Sequence, residues 1–407
     1  MASAFRDIPI EQLCTKVTTG ATPLRSRNDY YEAGTIDWYK TGELKDWYLG
    51  PAAERITEKA LEQTSAKLFP ADTVLMAMYG DGRTITSLGM LRAPAATNQA
   101  CSAMLVDKGK CDTRFFFYAL KSRRHVLLKV ASGGAQRNLS GKLIKEFTLP
   151  VPPLPVQRRI ANILSAYDEL IENSQRRIRI LEEMARGLYR EWFVHFRFPG
   201  HEKLPRAASS LGDLPQGWEV KKLNDIAENM RRNVPKGELD EPRPYVGLEH
   251  IPRRSLALDA WETATDLGSN KLAFKKGEVL FGKIRPYFHK VSVAPFDGLC
   301  SADIIVVRAR RPEHYAFVVA CVSSDAFVAE ASATANGAKM PRANWDVLEK
   351  YQVVIPKGKV AEQFSALFAD IMSQQQTLVF QIQNLRRTRD LLLPRLLSEA
   401  NVLRGEP

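Results

Sequence analysis

The chain has 407 residues, 45% of them hydrophobic and 26% charged, the balance of an ordinary globular protein with length for two or three cores. No apolar run approaches the roughly 18 residues that a bilayer span needs, and Met1-Ala2-Ser3-Ala4-Phe5-Arg6-Asp7 lacks the basic start and apolar core of a signal peptide, so a cytoplasmic, non-membrane protein is expected. A net charge of +12 favours a polyanionic partner without naming one. Five cysteines (Cys14, Cys101, Cys111, Cys300, Cys321) form no CxxC pair, as expected of free buried thiols in a reducing compartment.

In chain order, Thr73-Val74-Leu75-Met76-Ala77-Met78-Tyr79 follows a turn and reads as a strand, and Phe115–Leu120 as a buried helix. Gln157–Phe193 reads as a long helix. One seam carries Ile160, Tyr167, Ser174, Leu181 and Leu188; the other carries Leu164, Ile171, Ile178, Ala185 and Trp192. This is the a/d register of a coiled coil. Pro153 and Pro155 precede the helix and Pro199-Gly200 closes it. Gly200–Gly217, rich in small, polar and proline residues, reads as a linker. Beyond it, Glu278–Phe281 and Ile304–Val307 read as strands and Tyr315–Cys321 as a buried helix. A second long helix follows, with Phe364, Ile371, Leu378, Leu385 and Leu392 on one seam. Phe368, Gln375, Ile382, Arg389 and Leu396 form the other, Gln375 and Arg389 being polar interruptions.

The second half repeats the first. A displacement of 204 residues carries Ile144–Phe193 onto Leu348–Leu397 without a gap, with Pro152 on Pro356, Ile160 on Phe364 and Ile178 on Ile382. Upstream, Leu68–Leu75 echoes Ala273–Leu280, and Trp38-Tyr39 echoes Pro244-Tyr245. The repeat unit is a globule followed by a long helix. Two such narrow apolar stripes are most simply buried against each other, so an antiparallel helix pair is expected. The fold class is α+β: two similar globules, two long helices forming an antiparallel coiled coil, and an internal pseudo-two-fold repeat.

No catalytic pattern emerges. Gly134–Leu143 has the wrong spacing for a phosphate-binding loop, and Val151-Pro152-Pro153-Leu154 lacks the acid or amide and the ring of an amino-methyltransferase motif. Six scattered histidines make no metal pattern, and no Gly-x-Ser-x-Gly elbow occurs. The chain is expected to catalyse nothing itself and to bind no metal.

Binding candidates lie in loops that combine glycine, basic and aromatic residues. Tyr79-Gly80-Asp81-Gly82-Arg83 follows the strand of the first globule, and Gly282–Lys290, with Lys283, Arg285, Tyr287 and Lys290, follows its counterpart in the second. A further pair is Ser132–Asn138, with Gln136, Arg137 and Asn138, and Asn336–Arg342, with Lys339 and Arg342. Thr18–Arg27 adds Arg25 and Arg27; Met230–Lys236 is its suggested twin. Lysine and arginine neutralise phosphates, arginine also bonds guanine, and glutamine and asparagine bond adenine. The alternative for each loop is a solvated turn bonding its own backbone. Arg176, Arg177 and Arg179 read as a solvated helix face.

Several strings carry a resemblance: Leu149-Pro150-Val151-Pro152-Pro153-Leu154-Pro155-Val156-Gln157-Arg158-Arg159-Ile160-Ala161, Trp192–Gly200, Pro215-Gln216-Gly217-Trp218, Leu393-Pro394-Arg395-Leu396-Leu397 and Thr19-Gly20-Ala21-Thr22-Pro23. In this order, and over nearly the whole chain, they resemble a Type I restriction–modification specificity (S) subunit. The resemblance implies target-recognition domains at 1–152 and 218–356, spacer helices at 153–198 and 357–400, and a linker at 199–217. It implies that each recognition domain reads half of a split, asymmetric double-stranded DNA site. Two methyltransferase (M) subunits would dock on the helices, and restriction (R) subunits would join them. S-adenosylmethionine, ATP and Mg would be used by those partners, with no cofactor on this chain. The helix-pair interface would use Ile160, Leu164, Ile171, Ile178, Leu181, Leu188, Phe364, Phe368, Ile371, Leu378, Ile382, Leu385 and Leu392. About 30 helical residues span roughly 45 Å, on the order of one duplex turn at about 3.4 Å per base pair. Val354-Ile355-Pro356-Lys357-Gly358-Lys359 departs from the pattern, lacking the double proline and Gln-Arg of the first copy. Two other readings stay open: a nuclease or methyltransferase with fused recognition modules, and a bivalent adaptor for acidic proteins.

Overall fold

The computed structural model describes residues 5–80, 84–131, 137–356 and 358–398; of Arg137 it describes the backbone. The chain divides into two compact units, one made of residues up to Leu170 together with those from Leu385 onward, the other of Ile171–Asn384.

In the first unit a four-stranded antiparallel sheet runs in the order Cys14–Thr19, Cys101–Val106, Val74–Ala77, Leu88–Met90. Val74–Ala77 is buried on both faces, which explains its unbroken apolar run. Alternate side chains enter different cores. Val74 and Met76 join Phe115–Leu120 of the helix Thr113–Ser122, while Leu75 and Ala77 pack with Leu91 and Ala103. The Asp112 carboxylate caps that helix by accepting from the Phe115 amide at 3.0 Å. A second small sheet centres on Ile36–Tyr39, antiparallel to Arg55–Ile56 and parallel to Ala96–Thr97.

The second unit repeats this plan. Its four-stranded sheet runs Ala227–Asn229, Ile304–Ala309, Val279–Gly282, Val291–Val293, again antiparallel. The other sheet contains the equivalent parallel pairing, Tyr245 opposite Leu299 and Val246 opposite Cys300. In the first unit Trp38 stands opposite Ala96, so the structural partner of Trp38 is Tyr245 rather than Pro244, a correction of one residue to the sequence echo. Each globule is closed by an antiparallel pair, Arg6–Pro9 with Thr148–Val151 and Glu219–Lys222 with Gln352–Ile355. The expected helix at Tyr315–Cys321 is Tyr315–Val322, its side chains buried from Ala316 onward.

The long helices are Leu154–Tyr189, continued by a wider turn at Arg190–Val194, and Lys359–Leu396. Pro155 lies inside the first turn, where a missing N–H costs no helical bond, rather than ahead of it. Within each unit the two helices run antiparallel. In the first, Ile160, Ala161 and Leu164 share a core with Leu392, Leu393, Leu396 and Leu397. In the second, the Phe364 ring lies 6.0 Å from that of Trp192 and 4.7 Å from that of Phe193. Ile160, Leu164, Ile171, Ile178, Leu181, Phe364, Phe368, Ile371, Leu378 and Ile382 are buried, whereas Leu188, Leu385 and Leu392 are half-buried. Toward the end of the second helix the buried stripe has moved to Leu393 and Leu397, and on the first helix Asp168 is buried where the strict repeat put Tyr167. An α-helix drifts about 20° per heptad against a 3.5-residue repeat, so four heptads displace the seam by nearly one residue.

Residues 200–217 are not featureless. They carry a hairpin, Arg206–Ser209 paired with Gly212–Pro215. Two of the motif strings meet here: the Trp218 ring stacks on Phe198 at 5.1 Å and lies 5.6 Å from Phe193 and 5.7 Å from Phe196.

Candidate nucleic-acid interface

The two loop families found separately in the sequence are joined to each other in each unit. In the first, Tyr79-Gly80 forms a short antiparallel ladder with Arg137-Asn138, anchored by the Leu139 amide donating to the Met78 carbonyl at 3.0 Å. Gly80 has φ +145, and a Cβ there would lie 2.7 Å from Cβ of Thr84, so only glycine fits. Tyr79 and Asn138 are exposed. Arg83 and Gln136 lie outside the described residues, as does the Arg137 side chain.

In the second unit Ile284 pairs with Arg342, the Arg285 amide donates to the Pro341 carbonyl at 2.7 Å, and the Ala343 amide to the Lys283 carbonyl at 2.9 Å. Arg285 and His289 both adopt left-handed backbone, φ 49 and φ 50. Each costs a non-glycine residue on the order of 1–3 kcal/mol. The loop is held there by the bond to Pro341 and by buried His289, whose Nε2 lies 2.9 Å from the Ser323 carbonyl. Tyr287, Lys339 and Arg342 are exposed and Arg285 is half-buried. Lys283 donates to the Ala302 carbonyl at 2.8 Å and lies 3.9 Å from Asp303, as Arg342 does. Lys290 is turned inward, its ammonium donating to the Leu248 carbonyl, and burial lowers its pKa. It is therefore a fastening of the loop rather than part of its outer surface.

Arg25 and Arg27 are also engaged within the protein. Arg25 pairs with Glu54 at 2.5 Å and lies over the rings of Tyr31 and Trp38 at 4.6 and 4.8 Å. Arg27 binds Asp29 through two bonds of 2.8 and 2.7 Å. A phosphate would have to displace these carboxylates. In the suggested twin segment, Arg232–Val234 is a strand and Arg232 is bidentate to buried Glu278, both bonds 2.7 Å.

With this geometry in view, similarity to known proteins becomes specific. Residues 3–183 match the family described as Type I restriction modification DNA specificity domain. The chain is 25% identical over 398 residues to the MjaIX specificity subunit of Methanocaldococcus jannaschii, covering 94% of this chain and 90% of that one. It is 26% identical over 155 residues to the EcoR124I/EcoR124II specificity subunit of Escherichia coli, covering 37% and 38% of the two chains. Along its length, then, this chain is similar to Type I specificity subunits. The crystal structure of a Type I S subunit from M. genitalium shares its fold, with a TM-score of 0.58, 16% identity, and coverage of 97% of this chain and 96% of that one.

The functional residues least visible in the sequence are those that fix globule to helix. Gln157, from the Pro-Val-Gln-Arg-Arg string, is buried; it accepts from the Asp112 amide at 2.8 Å and donates to the carbonyls of Pro152 and Lys110 at 2.8 and 3.3 Å. Asp168 accepts from the Tyr118 hydroxyl at 2.5 Å and from the Arg389 guanidinium. Burial, and then the Asp168 charge, raise the Tyr118 pKa, so this hydroxyl remains a donor. Burial opposes the charge on Arg389, but Asp168 and Asp390 outweigh it and raise its pKa. Gln375 donates to Glu182 at 2.7 Å. The two interruptions of the heptad pattern thus each meet a carboxylate across the helix pair. Among the described residues no group of His, Cys, Asp and Glu is placed to hold a metal ion. Burial pushes the Cys14, Cys101 and Cys300 thiols up to about 12, which makes them poor nucleophiles at neutral pH.

Proposed function

We propose that this chain is the non-catalytic DNA-reading subunit of a Type I restriction–modification assembly. Each globule would contact one half of a bipartite, asymmetric duplex site through its bridged loop pair, and the long helices would hold the two readers in register. The observation that carries this reading is one scaffold built twice with different side chains on equivalent loops. Tyr79 and Asn138 are presented in the first unit, and Arg285, Tyr287, Lys339 and Arg342 in the second. Equal scaffolds with unequal loops suit a target whose halves differ in sequence.

The helices also expose apolar side chains, Ile180 and Met184 on the first and Leu367, Phe380 and Leu391 on the second. Such positions on otherwise polar helix faces suit docking of two methyltransferase subunits, with restriction subunits joining that core. S-adenosylmethionine, ATP and Mg would serve those partners. The test is to map modified adenines in a host carrying the chain with its methyltransferase subunit. One interrupted motif, lost when this chain is deleted, is expected. Methylation without a defined motif, or an unchanged motif after deletion, refutes the reading.

A further inference from the structure

Two carboxylates buried in the first long helix stand out by their partners. Glu182 is 3% exposed, and its Oε1 accepts four hydrogen bonds: from the Ser255 hydroxyl at 2.6 Å, the Leu256 amide at 2.7 Å, the Ala257 amide at 3.1 Å and Gln375 Nε2 at 2.7 Å. Three donors belong to a loop of the second globule and one to the second helix. Asp168, equally buried, does the same in the other unit, where Tyr118 of the first globule and Arg389 of the second helix both donate to it. The carboxylates are fourteen residues apart, and so are their partners on the second helix, counted in the opposite direction.

A buried carboxylate is costly where it is not fully bonded. An apolar residue at either position would pack the seam with no such requirement, but it would accept a sliding neighbour. A carboxylate accepts only the one placement that brings every donor within reach, as buried polar residues in coiled coils fix register. We propose that Asp168 and Glu182 are positioning residues, each holding one recognition globule in a single register on the helix pair, so that loosening either one relaxes the selection of half-site spacing. This rests on the bipartite-recognition reading above.

The test uses the full chain assembled with its methyltransferase subunits. Duplexes carry both half-sites separated by the preferred spacer or by one base pair more or fewer. Loss of bonds to a charged group is of the size of a tenfold change in equilibrium, so Glu182→Ala should reduce spacer selectivity about tenfold while leaving base preference within each half-site unchanged. Glu182→Gln keeps the accepting oxygen and should retain selectivity to within about threefold. Gln375→Ala removes only the helix-to-helix bond and should leave spacer selectivity at the wild-type level. Where Glu182→Ala does not fold, Glu182→Asp, one methylene short of its donors, makes the same comparison. Hydrogen exchange of the DNA-free chain supplies a second readout: the Leu256 and Ala257 amides should exchange faster in the alanine variant and remain protected in the glutamine variant. A wild-type spacer profile with both amides still protected in Glu182→Ala overturns the anchors alone. A wild-type assembly that selects no bipartite site overturns the recognition reading and the anchors with it.

Discussion

Removing Arg389 while leaving Asp168 in place isolates the first of these buried contacts. The side chains are 12% and 4% exposed, so Arg389→Met leaves a buried carboxylate without its cationic partner, still accepting from the Tyr118 hydroxyl. Breaking one side of a buried pair costs about 3–5 kcal/mol, whereas replacing both charges with apolar groups is often close to neutral. Arg389→Met with Asp168→Leu should therefore recover most of the loss. What remains is the deprived Tyr118 hydroxyl, worth about 1–3 kcal/mol, which a third change, Tyr118→Phe, should remove. The expected order of stability is wild type near the triple variant, then the double, then the single. The chain has more than one compact unit, so a local probe is needed. Hydrogen exchange of the Thr113–Ser122 helix during a urea titration provides it, since Tyr118 lies there. A single variant within about 1 kcal/mol of wild type refutes the argument, because it would mean that water reaches Asp168 as it reaches a surface carboxylate.

Phe364→Ala should cost about 3–5 kcal/mol, since the ring is 1% exposed and packs against Trp192, Phe193 and Phe368; a loss below about 1 kcal/mol in denaturant titration would show that these rings do not form a core. Burial raises the Glu182 pKa despite the opposing bonds from Ser255, Ala257 and Leu256. The folded chain then binds this proton more tightly than the unfolded chain does, so stability from this group is greatest below the unfolded value near 4.3 and falls as pH rises through the higher folded value. Glu182→Gln should lack that slope, and parallel stability–pH curves for the two proteins would contradict it. Arg285→Ala should weaken recognition of one half-site by about 1–3 kcal/mol if Arg285 meets a base, relaxing one position, and should weaken all sequences alike if it meets a phosphate; binding that is unchanged on both counts removes this loop from the contact surface.

The helices were legible because apolar side chains recur at a period that depends on no distant contact. The one-residue drift from Leu392 to Leu393 was not, because it reflects how straight the helix stays in its surroundings. Val74–Ala77 could be read as a strand from its apolar run, yet nothing local says that Leu88–Met90 flanks it on one side and Cys101–Val106 on the other. The candidate loops were marked by glycine and basic residues. That Tyr79 pairs with Asn138 depends on two segments far apart in the chain. Charge was the least faithful guide. Arg25, Arg27 and Arg232 each face a carboxylate, Glu54, Asp29 and Glu278, and Lys290 faces a carbonyl, all arrangements decided by the fold.

The repeat is conserved in topology but not in its fastenings, and the difference is testable at one position. Gln157 ties the start of the first helix to the globule before it, through the Asp112 amide and the carbonyls of Pro152 and Lys110. The equivalent residue of the second copy is Ala361, which can make none of these bonds. The second helix is instead fastened further along, where Gln376 donates to the Pro295 carbonyl at 3.2 Å and Gln383 to the Asp259 carbonyl. Gln157→Ala should then cost about 1–3 kcal/mol, because buried backbone groups lose their partners, and should speed amide exchange at Asp112. Ala361→Gln places an amide at a half-buried position where the native side chain makes no such bond, and should change stability by less than about 0.5 kcal/mol. Equal costs at the two positions would mean that the helix starts are equivalent and that the divergence at Val354–Lys359 carries no structural consequence.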